Sequence, residues 1–405
     1  MSFSVILTII VLVLLLFKIY LFRGVHQVFT KRPWRMAYFI LSIGSLVIGI
    51  PTMILSFSGG MIDMHFLQNF TIALMLSVFI CELLVFPFFL VDDLRDLILR
   101  LAKKKGQVVD TDRRRFVKTT GLVVAGIPFL GFLNGITFGK YAFQVKNRTL
   151  KFPDLPKEFD GFRILQFSDL HSGSFDSYES VKKGFDLMQQ QQADMILFTG
   201  DLVNDLADEV KPYLSLLKNL SAKYGKFSVL GNHDYSADND LFPTEEAKRK
   251  NSNAIKDYHK ESHFHLLTNE NIKVEKNGEY IRLIGVENWG HSFLKEGDLD
   301  KAIIGTEEGE FSILMSHDPS HWEEKVKDHD KHIHLTLSGH THGTQMGVDI
   351  GNFRWSPGQY LYKRWADLYR ENNRYLYINR GLGWIGFAGR VGIYPEITVF
   401  TLKRS

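Results

Sequence analysis

Cysteine is almost absent from this chain: Cys81 is the only one in 405 residues, and it falls inside an apolar segment. A single thiol closes no intrachain disulfide and builds no cysteine-based zinc site, so cysteine usage assigns no compartment. Internal repeats and low-complexity segments are also missing, apart from the run Gln189 to Gln192, which reads as a helix end. Acidic residues are scarce in the first part. Residues 1–149 hold 17 Lys+Arg against 7 Asp+Glu, a net of +10, and because the whole chain is +3 the remainder carries −7. A basic first part laced between apolar segments and an acidic second part argue against a nucleic-acid partner, since the positive charge does not lie on the candidate functional domain. The 45% hydrophobic content is enough for a full core and more than one domain.

Residues 1–138 read as a membrane domain of four spans. Ser2 to Leu16 is uncharged and almost entirely aliphatic, and continuing past Lys18 to Phe22 gives about 20 residues, the length that crosses a hydrocarbon core. Further spans run from about Met36 to Phe57, Phe66 to Leu90 and Thr119 to Phe138, the last less oily and containing Gly121, Gly126, Pro128 and Gly131. Positive charge marks the cytoplasmic side. Arg23 to Arg35 and Asp92 to Lys118, with Lys103-Lys104-Lys105 and Arg113-Arg114-Arg115, are therefore expected inside, and Ser58 to His65, with only Asp63, outside. The domain after the fourth span is then expected outside the cytoplasm. Arg113-Arg114-Arg115-Phe116-Val117-Lys118 has two readings, an internal twin-arginine export signal or a plain juxtamembrane basic cluster. Glu82 is the charged residue in mid-span, expected to pair with another helix.

Residues 139–160 read as a linker or first edge strand, and 161–405 as an α/β domain. Strands are expected at Phe162–Phe167, Met195–Thr199, Phe227–Leu230, Tyr280–Val286, Phe311–Met315, His332–Leu337, Arg374–Asn379 and Glu396–Leu402. Helices are expected at Tyr178–Gln192, Glu209–Tyr224 and Thr244–Ser262. Five of the apolar runs end in short motifs of two to four residues: Asp169-Leu170-His171, Gly200-Asp201, Gly231-Asn232-His233-Asp234, Ser316-His317-Asp318 and Gly339-His340-Thr341-His342. In α/β domains ligands collect at the carboxyl ends of strands. Five ends that each deliver Asp, Asn or His converge on a shared metal site, although any one histidine alone would be an ordinary turn residue.

Asp and His two residues apart, as in Asp169 and His171, can face one ion, and a carboxylate such as Asp201 can bridge two because each oxygen can serve one cation. Oxygen ligands mixed with imidazoles favour Mn, Fe, Zn or Ni over Ca or Mg. Two ions about 3.5–4 Å apart bind a phosphoryl oxygen, lower the pKa of a bridging water and stabilise in-line displacement, which makes phosphate-ester hydrolysis the natural reaction.

These motifs, in this order over about Phe162 to Leu402, resemble the calcineurin-like metallophosphoesterase superfamily. The ending Asn379-Arg380-Gly381-Leu382-Gly383, followed by Pro395-Glu396, is similar to its membrane-associated branch, which includes bacterial enzymes related to the lipid A pathway pyrophosphatases and the animal transmembrane metallophosphoesterases. The resemblance implies a four-layer α-β-β-α sandwich of two mixed sheets. It implies one metal on Asp169, His171, Asp201 and His342, and a second on Asp201 as bridge, Asn232, His317 and His340. It implies that His233 is no ligand but the general acid for the leaving group, with Asp234 as a candidate orienting partner. Thr344 departs from the pattern, where close relatives carry a second Gly, and is expected to narrow the mouth of the site.

Other histidines have no matching motif: His259, His263, His265, His321, His329, His332 and His334 read as surface or packing residues. His291 reads as a loop turn, with the substrate cleft as the alternative. Trp384, Phe387 and Arg390 either grip an amphiphilic substrate or belong to core and surface. The leading function is a membrane-anchored dimetal phosphoesterase acting outside the cytoplasm, with a lipid-linked phosphate or a pyrophosphate as the candidate substrate. The competing class is a non-catalytic metal-binding scaffold or sensor of the same fold, against which stands the retained His233.

Overall fold

The computed structural model describes residues 3–57, 65–102, 111–236, 241–351 and 353–405. The chain divides into two compact units, Met1–Thr137 and Phe138–Ser405.

The first unit consists of α1 (Phe3–Val28), α2 (Arg32–Phe57), α3 (His65–Leu101) and α4 (Thr111–Thr137). Each carries an apolar stretch long enough to cross a membrane. Large apolar side chains such as Leu16, Ile19, Val47, Ile48, Ile127 and Leu130 point outward, a pattern that suits lipid and not water. The expected pairing of Glu82 is present. Its carboxylate pairs with Lys18 of α1 and accepts from Tyr38 at 2.9 Å and Ser42 at 2.6 Å, both on α2. The connection expected over Asp92 to Lys118 is mostly helical instead. α3 runs on to Leu101 because Asp92, Asp93 and Asp96 continue it and pair with Arg113, Arg114 and Lys118 of α4. Lys103-Lys104-Lys105 and Ser58 to Met64 lie outside the described residues.

In the second unit the strands are β1 (Gln144–Phe152), β2 (Arg163–Phe167), β3 (Met195–Phe198), β4 (Lys226–Ser228), β5 (His265–Leu266), β6 (Glu270–Lys276), β7 (Glu279–Gly285), β8 (Ser312–Met315), β9 (Leu335–Ser338), β10 (Val348–Ile350), β11 (Phe353–Trp355), β12 (Asp367–Glu371), β13 (Arg374–Ile378) and β14 (Glu396–Arg404). One mixed sheet has the order β1-β14-β2-β3-β4-β5, the other β12-β13-β9-β8-β7-β6, and β10-β11 is a separate ribbon. Alternation sets the layers. Ile164, Leu197 and Phe227 of the first sheet meet Leu283, Ile313 and Leu337 of the second in a buried core. Their chain neighbours Leu165, Ile196 and Phe198 face the other way, against Val181, Phe185 and Met188 of α5 (Tyr178–Gln190), Leu216 and Leu217 of α6 (Leu214–Asn219) and Ile255 of α7 (Glu245–Glu261). Ile284, Leu314 and Leu376 cover the far side of the second sheet together with Leu299 of α8 (Leu299–Ala302) and Trp322. The result is a four-layer α-β-β-α sandwich, in which each fully buried Ile, Leu or Phe contributes about 1.5–3 kcal/mol.

One expected helix differs in the structure. The helix expected over Glu209–Tyr224 is broken into a 3-10 stretch, Ala207–Tyr213, followed by α6, because Pro212 has no N–H to donate. Of the two readings of residues 139–160, Gln144–Phe152 takes the edge strand: it pairs parallel with β14 along its whole length, at the edge of the first sheet.

Candidate metal centre

The five motifs emerge side by side from the carboxyl ends of the central strands of both sheets. Asp169 and His171 follow β2, Asp201 follows β3, Asn232 and His233 follow β4, His317 follows β8, and His340 and His342 follow β9. These turns reverse within two or three residues, and the backbone shows the cost: Asp169, His171, Asp201, His340 and His342 all have positive φ, between 44° and 69°. Asp and His tolerate that left-handed region better than most side chains. Gly200 sits at φ +98°, where an added Cβ would lie 2.5 Å from Gly231 N, so the turns after β3 and β4 touch backbone to backbone.

All seven residues expected as ligands are brought together. Donor atoms of Asp169, His171 and His342 lie within 4.8 Å of one another, as do those of Asp201, His317 and His340. Asp201 stands between the two groups: its Oδ2 is 3.0 Å from His317 Nε2 and 3.5 Å from His171 Nε2. His342 Nε2 is 3.4 Å from Asp169 Oδ1, and Asn232 Oδ1 is 2.9 Å from His340 Nδ1. The Nε2 atoms of His171 and His317 are buried and make no hydrogen bond. Carboxylate oxygens and ring nitrogens that converge with lone pairs facing lone pairs are what a divalent cation satisfies, so this donor set fits metal.

Electrostatics point the same way. Burial alone would lower His317, yet the Asp201 carboxylate more than offsets it and the ring is raised to about 10. His171 is likewise raised against burial by Asp201 and Asp169. Burial raises Asp201, but the facing imidazoles His317 and His233 hold it well below the usual carboxylate range. The acids thus demand positive charge at the position where a cation would sit.

Several residues that hold the donors carry no signal in the sequence, Asp318 of the Ser316-His317-Asp318 motif excepted. His317 Nδ1 bonds to the Thr199 carbonyl at 2.7 Å. Asn204 serves two rings: its side-chain oxygen lies 3.2 Å from His171 Nδ1 and its backbone carbonyl 2.8 Å from His233 Nδ1. His340 Nε2 faces Asp318 at 3.4 Å and accepts from the Tyr362 hydroxyl at 3.3 Å. Partners of this kind fix ring orientation.

Asp234 is not the orienting partner of His233. Its carboxylate accepts backbone N–H from Gly231 at 2.9 Å, Asp201 at 3.0 Å and Leu202 at 2.8 Å, tying the β3 turn to the β4 turn. On the 3-10 turn that follows Gly231, adjacent side chains diverge, and the Asn204 carbonyl orients His233 instead.

A cavity of about 330 Å³ opens over the centre, lined by Asp201, Asn232, His233, His340 and His342 with Thr344, Tyr362 and Phe387 on its walls. Thr344 does stand at this cavity, its hydroxyl against Ser356. Phe293 and Tyr362 also border a second cavity of about 520 Å³, where His291 is exposed and paired with Glu324. Trp384 and Arg390 are buried. Arg390 donates to the carbonyls of Arg380 at 2.7 Å and His342 at 3.1 Å, so it supports the His342 turn and grips no substrate. His259, His321 and His334 are buried packing residues, His321 lowered by burial to about 4.

Residues 1–140 match the family described as "Probable Calcineurin-like phosphoesterase, transmembrane domain", and residues 162–344 match "Calcineurin-like phosphoesterase". The metallophosphoesterase YkuE of Bacillus subtilis is 30% identical over 309 residues, covering 72% of this chain and 97% of that one. YkoQ of the same organism is 27% identical, covering 58% and 81%. A transmembrane protein with metallophosphoesterase domain from Danio rerio is 26% identical over 62% of this chain and 55% of its own.

Proposed function

The chain belongs to the calcineurin-like metallophosphoesterases, as a metal-dependent phosphoester hydrolase with an N-terminal transmembrane domain, and from that premise we propose the roles of its residues and its substrate class. One divalent ion would be held by Asp169, His171, Asp201 and His342, and a second by Asp201, Asn232, His317 and His340. The observation that carries this reading is the single Asp201 oxygen facing two hydrogen-bond-free imidazole nitrogens. When bound, such ions neutralise phosphoryl charge and lower the pKa of water. His233, partly exposed at the cavity, reaches the scissile oxygen and gives its proton to the leaving group, while the Asn204 carbonyl keeps Nδ1 protonated and Nε2 turned to the site. Asp201 Oδ1 accepts from the His233 backbone N–H at 2.9 Å, so the bridging carboxylate also places the acid.

The substrate class is a phosphate ester, with a lipid-linked or pyrophosphate compound favoured, because a chain with four spans is held where amphiphilic phosphates concentrate. The domain faces away from the cytoplasm, on the charge of Arg23 to Arg35; a reporter fused after Ser405 that is active only in the cytoplasm would overturn this.

Purified protein with added Mn, assayed on a chromogenic phosphodiester and a phosphomonoester, tests the site. Wild type turns over, Asp201→Asn loses metal and activity, and His233→Ala keeps metal while slowing by about 10²–10⁴-fold. Retained metal and full activity in Asp201→Asn would sink the assignment.

A further inference from the structure

The β10-β11 ribbon is built with its polar side inward. Its register pairs Val348 with Trp355, Asp349 with Arg354 and Ile350 with Phe353. Cross-strand partners share a face and neighbours along a strand alternate, so Asp349 and Arg354 occupy one side and the four apolar residues the other. The polar side is the anchored one. Asp349 accepts from Arg380 at 2.9 Å and Lys146 at 2.8 Å, and Arg354 pairs with Asp367, which Arg148 holds at 2.7 Å. The apolar side looks outward: Ile350 is 73% and Phe353 62% exposed, and shortly downstream Tyr360 is 76% and Leu361 82% exposed.

This excursion begins and ends at the metal centre. It leaves from Thr344, two residues after His342, and returns at Tyr362, whose hydroxyl donates to His340. Both residues line the cavity over the donors. Whatever covers the apolar face therefore lies beside the mouth of the site.

We propose that this face, with Tyr360 and Leu361, seats in the surface of a lipid bilayer and holds the mouth of the site at the membrane, where amphiphilic phosphate esters are presented. The chain supplies the bilayer, since it carries four membrane-crossing helices. Residues 138–143 alone separate the end of α4 from β1, a tether of at most about 20 Å when extended. The residue types match as well. Trp355 and Tyr360 are amphipathic aromatics of the kind that settle at the interface, and Lys363 follows with its side chain 72% exposed and a contact to Glu323 at 3.8 Å. The purpose of the contact rests on the hydrolase reading above, but the contact itself can be tested without it.

The full chain, with Cys81→Ser, carries an environment-sensitive fluorophore at Phe353→Cys, or as a control at Glu275→Cys on β6. Each is reconstituted into phosphatidylcholine–phosphatidylglycerol vesicles with and without lipids bearing a shallow nitroxide. The label at 353 is expected to shift to the blue and to lose about half its emission or more to the nitroxide, with little loss at 275. No more quenching at 353 than at 275 refutes the proposal, and so does a blue shift without lipid quenching, which would mean a protein cover such as a second copy. In the double variant Ile350→Asp, Phe353→Asp, kcat/KM for a dialkylglycerol phosphate ester in the same vesicles should fall about tenfold or more, with a soluble chromogenic ester unchanged within about twofold. Equal loss on both esters refutes it. If wild type cleaves neither ester, the hydrolase reading fails, while the quenching result still decides the contact.

Discussion

Replacing Asp234 by Asn separates the two roles that this residue could have. Its carboxylate accepts three backbone N–H groups: Oδ2 takes those of Gly231 and Asp201, and Oδ1 takes that of Leu202. An Asn can keep the pair at Oδ2 by placing its own oxygen there. Its amide nitrogen then faces the Leu202 N–H, donor against donor. One charge-assisted bond is lost and one buried N–H is orphaned, a cost of about 2–4 kcal/mol. The strained turn carrying Asp201 is what that bond restrains. If the whole cost falls on presenting Asp201, metal affinity weakens by roughly 30- to 800-fold.

The assay is competition for Mn against a graded chelator, with metal per chain counted after dialysis. Asp234→Asn should lose metal at chelator levels that wild type withstands, and saturating Mn should restore most of kcat. His233→Gln should do the opposite, holding metal as wild type does while kcat stays depressed at any Mn concentration. Metal affinity within about threefold of wild type for Asp234→Asn, together with a kcat loss that Mn does not relieve, would mean that Asp234 acts on His233 after all.

Three further outcomes are expected. Asn204→Ala removes the side-chain oxygen beside His171 but leaves the backbone carbonyl on His233, so metal affinity should fall by about 10- to 100-fold while kcat at saturating Mn holds. Burial alone would lift the Glu310 carboxyl, but the Arg282 guanidinium and the Tyr280 hydroxyl pull it down to about 2 from 4.5. A depressed acid stabilises the fold above its unfolded value and loses that stability as pH falls, so wild type should weaken between about pH 4.5 and 2, and Glu310→Gln should flatten that part of the tryptophan-fluorescence unfolding curve. Arg380→Met strands the buried Glu396 and leaves Asp349 one cation short. A loss of about 3–5 kcal/mol follows, seen as a drop of order 10 °C in the catalytic domain's unfolding midpoint.

The donors were legible because each is packed into two to four residues directly behind an apolar run, so sequence order alone puts it at a strand end. Their supports were not. Asn204 comes after the β3 turn with nothing to mark it, and it meets His171 and His233 only once β2, β3 and β4 lie side by side. Asp318 was in view beside His317, but its partner is His340, which Tyr362 reaches from a separate loop, and Arg390 approaches His342 from 48 residues away. Asp234 misled by adjacency, since next to His233 it looks like a partner, but consecutive side chains on a tight turn point apart. Edge strands were hard for another reason. Gln144–Phe152 and Glu270–Lys276 alternate charged residues with few apolar ones because one flank of each is exposed, and β1 finds its partner β14 more than two hundred residues later. The β10-β11 ribbon gave no strand signal at all, since its apolar residues do not enter a core.

The donor carboxylates have a second task that bears on how the site should be probed. Five of the donor residues sit at positive φ, a conformation that costs of order 1 kcal/mol or more apiece unless the surroundings enforce it. Much of that enforcement comes from the donors themselves. Asp169 accepts the backbone N–H of His340 at 2.9 Å, and Asp201 accepts that of His233 at 2.9 Å. The first bond joins a turn of one sheet to a turn of the other; the second joins neighbouring turns of the same sheet. Removing either carboxylate with Ala therefore deletes a ligand and also releases the turn that carries another donor or the acid. A collapse of activity in such a variant does not separate ligation from positioning. Asn at 169 or 201 keeps an oxygen for the N–H but puts an amide nitrogen in place of the other oxygen and removes the charge, so the loss shared by the Asn and Ala variants reports ligation, and the further loss in Ala reports how far each acid works on the backbone.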